Sequence, residues 1–500
     1  MKKEKLGCEA SCQLLVASCT LWLSRMKKFA SLRLCVLLLF ATTIAVSAQT
    51  EKSKSIEKTF ELSKDGIVKV DHRYGLLKVT QSTDGKVHLN VRMRVEGNDE
   101  EEIQKALSQF EVDINEFGNQ VTIETDLNIK NWNGRNGKIY LTFKNGAKIK
   151  GLKKFTVEML LAVPDLKSLA LKNKYEDIII DHDFKGDLEV EIYDGDLKAK
   201  NVAGEVELNV KYGKAILEDI GDADLTLYDS EMEMESGKAL KLSSKYSEYT
   251  IGDTESLRIK AYDDKFELGN VKGRLEISDK YSEMSVGNFG EAMLDIHDGD
   301  FDAKKGGNLT ITDTKYSKYR INEVGNLMIE GSHDDKFIIK KVADFEVDVT
   351  KYTEFEIADL SGKFKVRSSH DDKFIIGSLG DLLVNQSKYT EFEITNLSGQ
   401  VSLLDSHDDK LDVSEVATSF KGLKLNGKYT KVNMDIPSSV KYEIDAEMKY
   451  GGIEYPESAF ESQYYKEKDS ILSVRGKIKG AGADAPKIEV RGHDCKVNLK

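Results

Sequence analysis

Three triplets, His333-Asp334-Asp335, His370-Asp371-Asp372 and His407-Asp408-Asp409, carry the residue types in this chain that most directly suggest chemistry. Histidine with two carboxylates is a metal-binding set by ligand type. Spacing argues against that use. If each recurrence marks two stacked strand layers, equivalent histidines lie about 9.6 Å apart, too far for two ligands of one zinc at ~2.1 Å. Calcium asks for six to eight oxygens, and each triplet offers two carboxylates beside a lysine. The candidate ligands His333, Asp335, His370, Asp372, His407 and Asp409 are therefore read as binding no metal, and no cofactor is expected.

Tyrosines form the second candidate. Tyr246, Tyr281, Tyr316, Tyr352, Tyr389 and Tyr429 occur in Lys-Tyr-Ser or Lys-Tyr-Thr contexts between the acidic motifs. Facing outward, they would form a stripe suited to stacking on sugar rings; lying on the turn, they would only pack it. Tyr316, Tyr352 and Tyr389, from the most regular stretch, are the candidate ligand-binding residues. No residue is read as catalytic. A polysaccharide-cleaving site needs a local cluster that breaks the regularity of its scaffold, whereas the carboxylates here are spread evenly. Glycine-rich phosphate loops, HExxH and GxSxG are absent, and Asp181-His182-Asp183 and Asp71-His72 are ordinary turn compositions.

These motifs belong to a repeat. KYSEY (245–249), YDDKF (262–266), KYSEM (280–284), HDGDF (297–301), KYSKY (315–319), HDDKF (333–337), KYTEF (351–355) and their successors alternate strictly, and the last residues of the units run from Ile178 to Ile453 at intervals of 17 to 21. The unit is about 18 residues and the full period is two units. Within a unit the apolar positions alternate, as in Phe355, Ile357, Leu360, Phe364 and Val366, which reads as short strands joined by tight turns. One unit cannot close a core, so units must stack, each strand pairing in parallel with its equivalents. The fold class is an all-β parallel β-solenoid, and the rule for parallel crossovers predicts a right hand. Only 4 prolines in the chain agree with ladders paired on both sides.

The two-unit period also orders charge. Just before the core position, Lys336, Glu354, Lys373, Glu391 and Lys410 alternate in sign, so each side chain gains an opposite partner one layer away and a one-layer slip would pair like with like.

The ends differ from the middle. From Met26, a basic start, an apolar run at Leu37–Phe40 and Ala-Val-Ser-Ala ending at Ala48 make a secretory signal, so 1–48 is the signal region, with Met26 the expected true start and cleavage after Ala48. Residues 49–55 read as a flexible leader and 56–165 as a β-rich cap with one helix over 98–110, started by Asn98. Residues 166–436 form the regular solenoid and 437–500 degenerate closing rungs. After cleavage the only cysteine is Cys495, so no internal disulfide is expected. No second long apolar run follows, so no transmembrane anchor is expected. The formal charge of −13, with positives alternating among carboxylates, argues against a nucleic-acid partner.

With its signal, β-rich start, single acidic-capped helix, the run LLAVPDLKSLALKNKYEDIII (160–180) and Lys-Tyr-Gly or Lys-Tyr-Ser turns, the chain resembles the bacterial "putative adhesin" family with β-strand repeats, a domain of unknown function. That resemblance implies a secreted or cell-envelope β-solenoid, located in the periplasm, on the surface or outside the cell, and supplies no catalytic residues. The expected function is a non-enzymatic, adhesin-like module, monomeric, with a glycan or cell-surface polymer as partner. The alternatives are an envelope scaffold and a polysaccharide-active enzyme.

Overall fold

A computed structural model describes residues 50–125 and 127–500 of the protein. The expected export signal lies outside the described residues. The chain forms a parallel β-solenoid of about 15 turns with rungs of about 18 residues, preceded by an N-terminal β region. Where the repeat is most regular, each rung runs as a single bent strand, such as Lys318–His333 or Lys336–Lys351. It pairs in parallel with the rung on either side, and Phe337 lies opposite Tyr319 and Phe355.

Alternation dictates what fills the interior. Phe337, Ile339, Val342, Phe345 and Val347 of one rung are all buried, while their neighbours face water. Because equivalent residues stack at strand spacing, identical rings superpose. Tyr319, Phe337, Phe355, Phe374 and Phe392 form one ladder with centroids 4.6–5.1 Å apart and planes within 7°. Rings this close add about 0.5–1.5 kcal/mol per pair beyond the area they bury.

The N-terminal region departs from the sequence reading in three ways. Residues 50–55, expected as a flexible leader, are the first half of β1 (Thr50–Phe60), which pairs antiparallel with β4 (Val87–Gly97). The solenoid begins earlier than residue 166. β2 (Ile67–Arg73) and β3 (Leu77–Gln81) form a complete rung directly beneath the strands Ser168–Lys174 and Ile178–Ile180. The intervening chain is thus an insertion between two stacked rungs. It holds β4, the helix α1 (Glu100–Ser108), β5 (Asp113–Phe117), β6 (Gln120–Glu124), β7 (Ile129–Arg135), β8 (Lys138–Phe143) and β9 (Lys148–Val163). β6 pairs with β2 and β9 with β3, covering the open end of the solenoid. Finally, Asp99 rather than Asn98 caps the helix, its Oδ1 accepting from Glu101 N at 2.9 Å. Ile103, Ala106 and Leu107 are the helical residues that are buried.

The C-terminal end is also reordered. Residues 437–500 do not simply continue the stack. Gly422–Met434 pairs with Lys487–Leu499, which pairs in turn with Glu443–Glu454, so the last strands of the chain slot between two earlier rungs. An antiparallel hairpin, Phe460–Lys468 with Ile471–Ile478, then covers the outer edge. The outermost strand is exposed and carries Lys466, Glu467 and Lys468, charges that discourage pairing with another sheet.

Candidate functional site along the aromatic edge

Every regular rung reverses direction through one residue in the left-handed region. Tyr212, Asp229, Tyr246, Asp263, Tyr281, Asp298, Tyr316, Asp334, Tyr352, Asp371, Tyr389, Asp408 and Tyr429 all have φ between 49° and 69°. Asp tolerates this conformation; tyrosine pays about 1–2 kcal/mol for it. The backbone ladder continues through the turn nonetheless, with Tyr352 N donating to His370 O at 3.1 Å and Asp334 N to Lys351 O at 3.0 Å.

Beneath the turn lies a buried polar column that holds it. The residue after the left-handed position is Ser or Thr in the tyrosine rungs (Ser317, Thr353, Thr390) and Asp in the others (Asp335, Asp372, Asp409). Asp372 accepts four hydrogen bonds, from Thr353 N at 2.8 Å, Thr350 Oγ1 at 3.3 Å, Ser369 Oγ at 2.6 Å and His370 N at 2.9 Å. Asp335 and Asp409 repeat the arrangement. Burial pushes the Asp372 carboxyl up to about 6 against the pull of these donors. Asp335 and Asp409 are raised for the same reason.

This geometry separates the members of the His-Asp-Asp triplets. Asp335, Asp372 and Asp409 point inward and are saturated by donors. Each histidine instead meets the first aspartate, with His333 Nδ1 and His370 Nδ1 both 2.6 Å from the adjacent carboxylate, Asp334 or Asp371. Among the described residues no group of three or more His, Cys, Asp or Glu is arranged to hold a metal.

Outside the turn the aromatic residues meet. Tyr316, Tyr352 and Tyr389 are 61%, 47% and 47% exposed, two rungs apart along one edge. Between them stand His333, His370 and His407, and the rings alternate edge to face from Tyr316 to Tyr429, with centroids 5.5–6.4 Å apart and planes 73–85° to one another. His493 and Tyr450 extend the row. A matching row runs from Tyr175 through Tyr193, Tyr212, Tyr228, Tyr246 and Tyr262 to Tyr281. Lys351 Nζ lies 4.6 Å from the Tyr352 centroid and Lys388 Nζ 4.8 Å from that of Tyr389.

Outward stripe and turn packing, posed as alternatives by the sequence, thus coexist: the rings touch their neighbours by the edge and still leave about half of each surface open. Sequence reasoning placed the histidines only as flanks of the tyrosine stripe, and did not count them, or Tyr193, Tyr228 and Tyr262, as members of it. The signal was present, since every rung places an aromatic at one of two adjacent positions. Only the in-register stacking, with Lys351 opposite His370 and His370 opposite Lys388, brings the two positions into one row. The other histidines noted in the sequence lie off this edge: His72 is buried against Thr125 Oγ1 at 2.7 Å, and His182 packs on Phe184.

On the strand after the turn, the alternating charges are in the expected register, Lys336 beside Glu354 and Lys373 beside Glu391. Contacts run further along the strand than that register implies. Lys336 Nζ is 3.3 Å from Glu354 but 2.6 Å from Glu356, and Lys373 Nζ contacts Glu393 at 3.0 Å.

No family model and no curated protein matches the chain. Solved structures similar to it include two described as "putative adhesin", one from Bacteroides fragilis (17% identity, covering 56% of this chain and 97% of that one, TM-score 0.22) and one from Parabacteroides merdae (15%, 68% and 96%, TM-score 0.18). A third, described as a "putative cell adhesion protein", comes from Clostridium sporogenes (9%, 90% and 99%, TM-score 0.13).

Proposed function

We propose that the protein is an exported, non-enzymatic binding module of the cell surface or envelope that holds an extended glycan along its aromatic edge. The observation that carries this reading is the row of half-exposed rings from Tyr316 to Tyr429. Aromatic faces offer sugar rings a flat apolar partner, and the lysines beside them add donors for hydroxyl groups. Each ring contributes weakly, but a polymer that engages several at once gains avidity. Binding is favoured over catalysis because the carboxylates at the edge serve the turn itself: Asp334, Asp371 and Asp408 hold its left-handed position against the adjacent histidine, and Asp335, Asp372 and Asp409 lie beneath it with their oxygens already occupied. Export rests on the signal read in the sequence.

A glycan panel tests this with a triple variant, Tyr316→Asn, Tyr352→Asn and Tyr389→Asn. Asparagine tolerates the left-handed turn, as the aspartates of alternate rungs do. Binding that rises with ligand length in the wild type should be lost in the triple variant and barely change in single ones. If the edge serves only to hold an envelope scaffold together, single variants should lower the melting temperature and no glycan should bind.

A further inference from the structure

The aromatic edge is interrupted once among the described residues. Between Tyr281 and Tyr316 the ring of His297 leaves the row, its Nε2 lying 3.3 Å from Asp295 and 3.5 Å from Asp313. The ladder slips by one residue at the same place, after Leu294. Gly299 stands where other such rungs carry the buried aspartate, and Asp279 from the rung below supplies a carboxylate to Ser282 instead. A Cβ on Gly299 would come within 2.9 Å of Ser282 O and 3.1 Å of Asp279 Oδ2. A scaffold that abandons its repeat at one point is where a specific site is expected.

Beside this break lies a groove of about 780 Å³. One wall is a single column from six successive rungs: Lys211, Tyr228, Lys245, Tyr262, Lys280 and His297. The floor is open because Thr226, Ser243, Ala261 and Ser278 have short side chains. Lys260 adds a fourth ammonium group. Among the described residues, none of these four lysines forms an ion pair within 4 Å. The two carboxylates in the lining are engaged elsewhere, Asp279 being 3% exposed and bonded to Ser282, and Asp295 being paired with His297. Asp229 and Asp263 occupy the turn positions beyond the rings, outside the lining. In a chain of net charge −13, this is a run of unneutralised positive charge set among aromatic rings.

We infer that this groove binds an acidic polysaccharide whose chain runs along the solenoid axis. Its carboxylate or sulfate groups meet Lys211, Lys245 and Lys280, and its sugar faces lie against Tyr228 and Tyr262. The lysines recur every two rungs, about 9.6 Å, which suits a polymer charged on every second sugar better than a nucleic-acid strand, whose phosphates recur far more closely. The groove is a second site, separate from the row Tyr316 to Tyr429 to which the glycan-binding reading above applies. It uses different residues, so either can fail alone.

The test measures binding of the purified full chain to immobilised hyaluronan, whose carboxylates recur on every second sugar, and chondroitin sulfate, whose carboxylate and sulfate each recur once per disaccharide, with a neutral galactan and single-stranded DNA in parallel. Wild type should bind at least one acidic polymer in a salt-sensitive way and bind the galactan and DNA more weakly. Lys245→Glu with Lys280→Glu should reduce that binding by about ten-fold or more, as expected when two charge-assisted contacts turn repulsive, and Lys245→Gln with Lys280→Gln should reduce it less. Lys304→Glu with Lys340→Glu, exposed and away from both the groove and the aromatic edge, should leave it unchanged. A thermal melt on the same samples identifies any variant that fails to fold. Equal binding to DNA, failure to bind either acidic polymer, or unchanged binding by the folded Lys245/Lys280 variants would overturn the inference.

Discussion

Thr353 N donates to Asp372 Oδ1 at 2.8 Å across two rungs, and the same carboxylate accepts from His370 N of its own rung at 2.9 Å. One buried side chain therefore satisfies backbone donors on both sides of a strand spacing, which makes it a link in the stack rather than a turn ornament.

Removing that link should be costly. Asp372→Ala leaves two buried N–H groups unpartnered and is expected to destabilise by about 2–4 kcal/mol, with faster amide exchange confined to the rungs around Thr353 and His370. Urea denaturation and hydrogen exchange check this. Uniform loss of protection along the whole chain would contradict a local link.

Stability should also depend on pH through the same carboxylate. Its folded value of about 6 lies above the ordinary unfolded value near 3.9. Between the two the native state binds more protons, so the contribution of this residue is fully present below pH ~4 and is lost as pH rises through ~6, by roughly 2–3 kcal/mol. Asp279, pushed to about 6 by burial as well, acts in the same direction. Melts from pH 4 to 8 should show a slope that Asp372→Asn reduces. An identical slope in the variant would refute the assignment.

Charge order along the strands predicts a specific rescue. Lys373→Glu puts a carboxylate between Glu354 and Glu391 and removes the 3.0 Å contact to Glu393. The groups are solvated, so the cost should be ~1 kcal/mol or less. Adding Glu393→Lys should restore more than adding Glu391→Lys does, which a double-mutant cycle measures. Equal rescue by both would mean that only the general field matters.

Tyr352 allows strain to be separated from stacking. Tyr352→Asn relieves the left-handed strain and removes two ring contacts, terms of opposite sign and each about 1 kcal/mol. Tyr352→Ala keeps the strain and loses the contacts. The alanine variant should therefore melt below the asparagine variant, and equal melting temperatures would count against a strained turn.

The sequence by itself determined the rung, its period and its parallel stacking, because a two-residue apolar alternation repeated about every 18 residues has one way to bury its apolar face. It also determined which charges stand opposite one another, since register follows from the same alternation, while the reach of Lys336 to Glu356 and of Lys373 to Glu393 was decided by the fold. The ends escaped it. Tyr429, Tyr450 and Asp494 break the Tyr–Asp alternation in chain order, yet Lys428 and Lys449 both pair with His493, so that in space Asp494 falls between the two tyrosines and the alternation is kept. Likewise, β2 and β3 read as belonging to a cap until the fold brings them beneath Ser168–Lys174 and Ile178–Ile180 across an inserted region. Strand pairing depends on matching faces and hydrogen-bond edges, not on nearness in the chain, so order at the ends is set only when the edges close. The site divides in the same way: tyrosine, histidine and lysine spacings are written in the repeat, while the shared aromatic row and the groove beside its one interruption arise from turns that lift adjacent positions of alternate rungs onto one line.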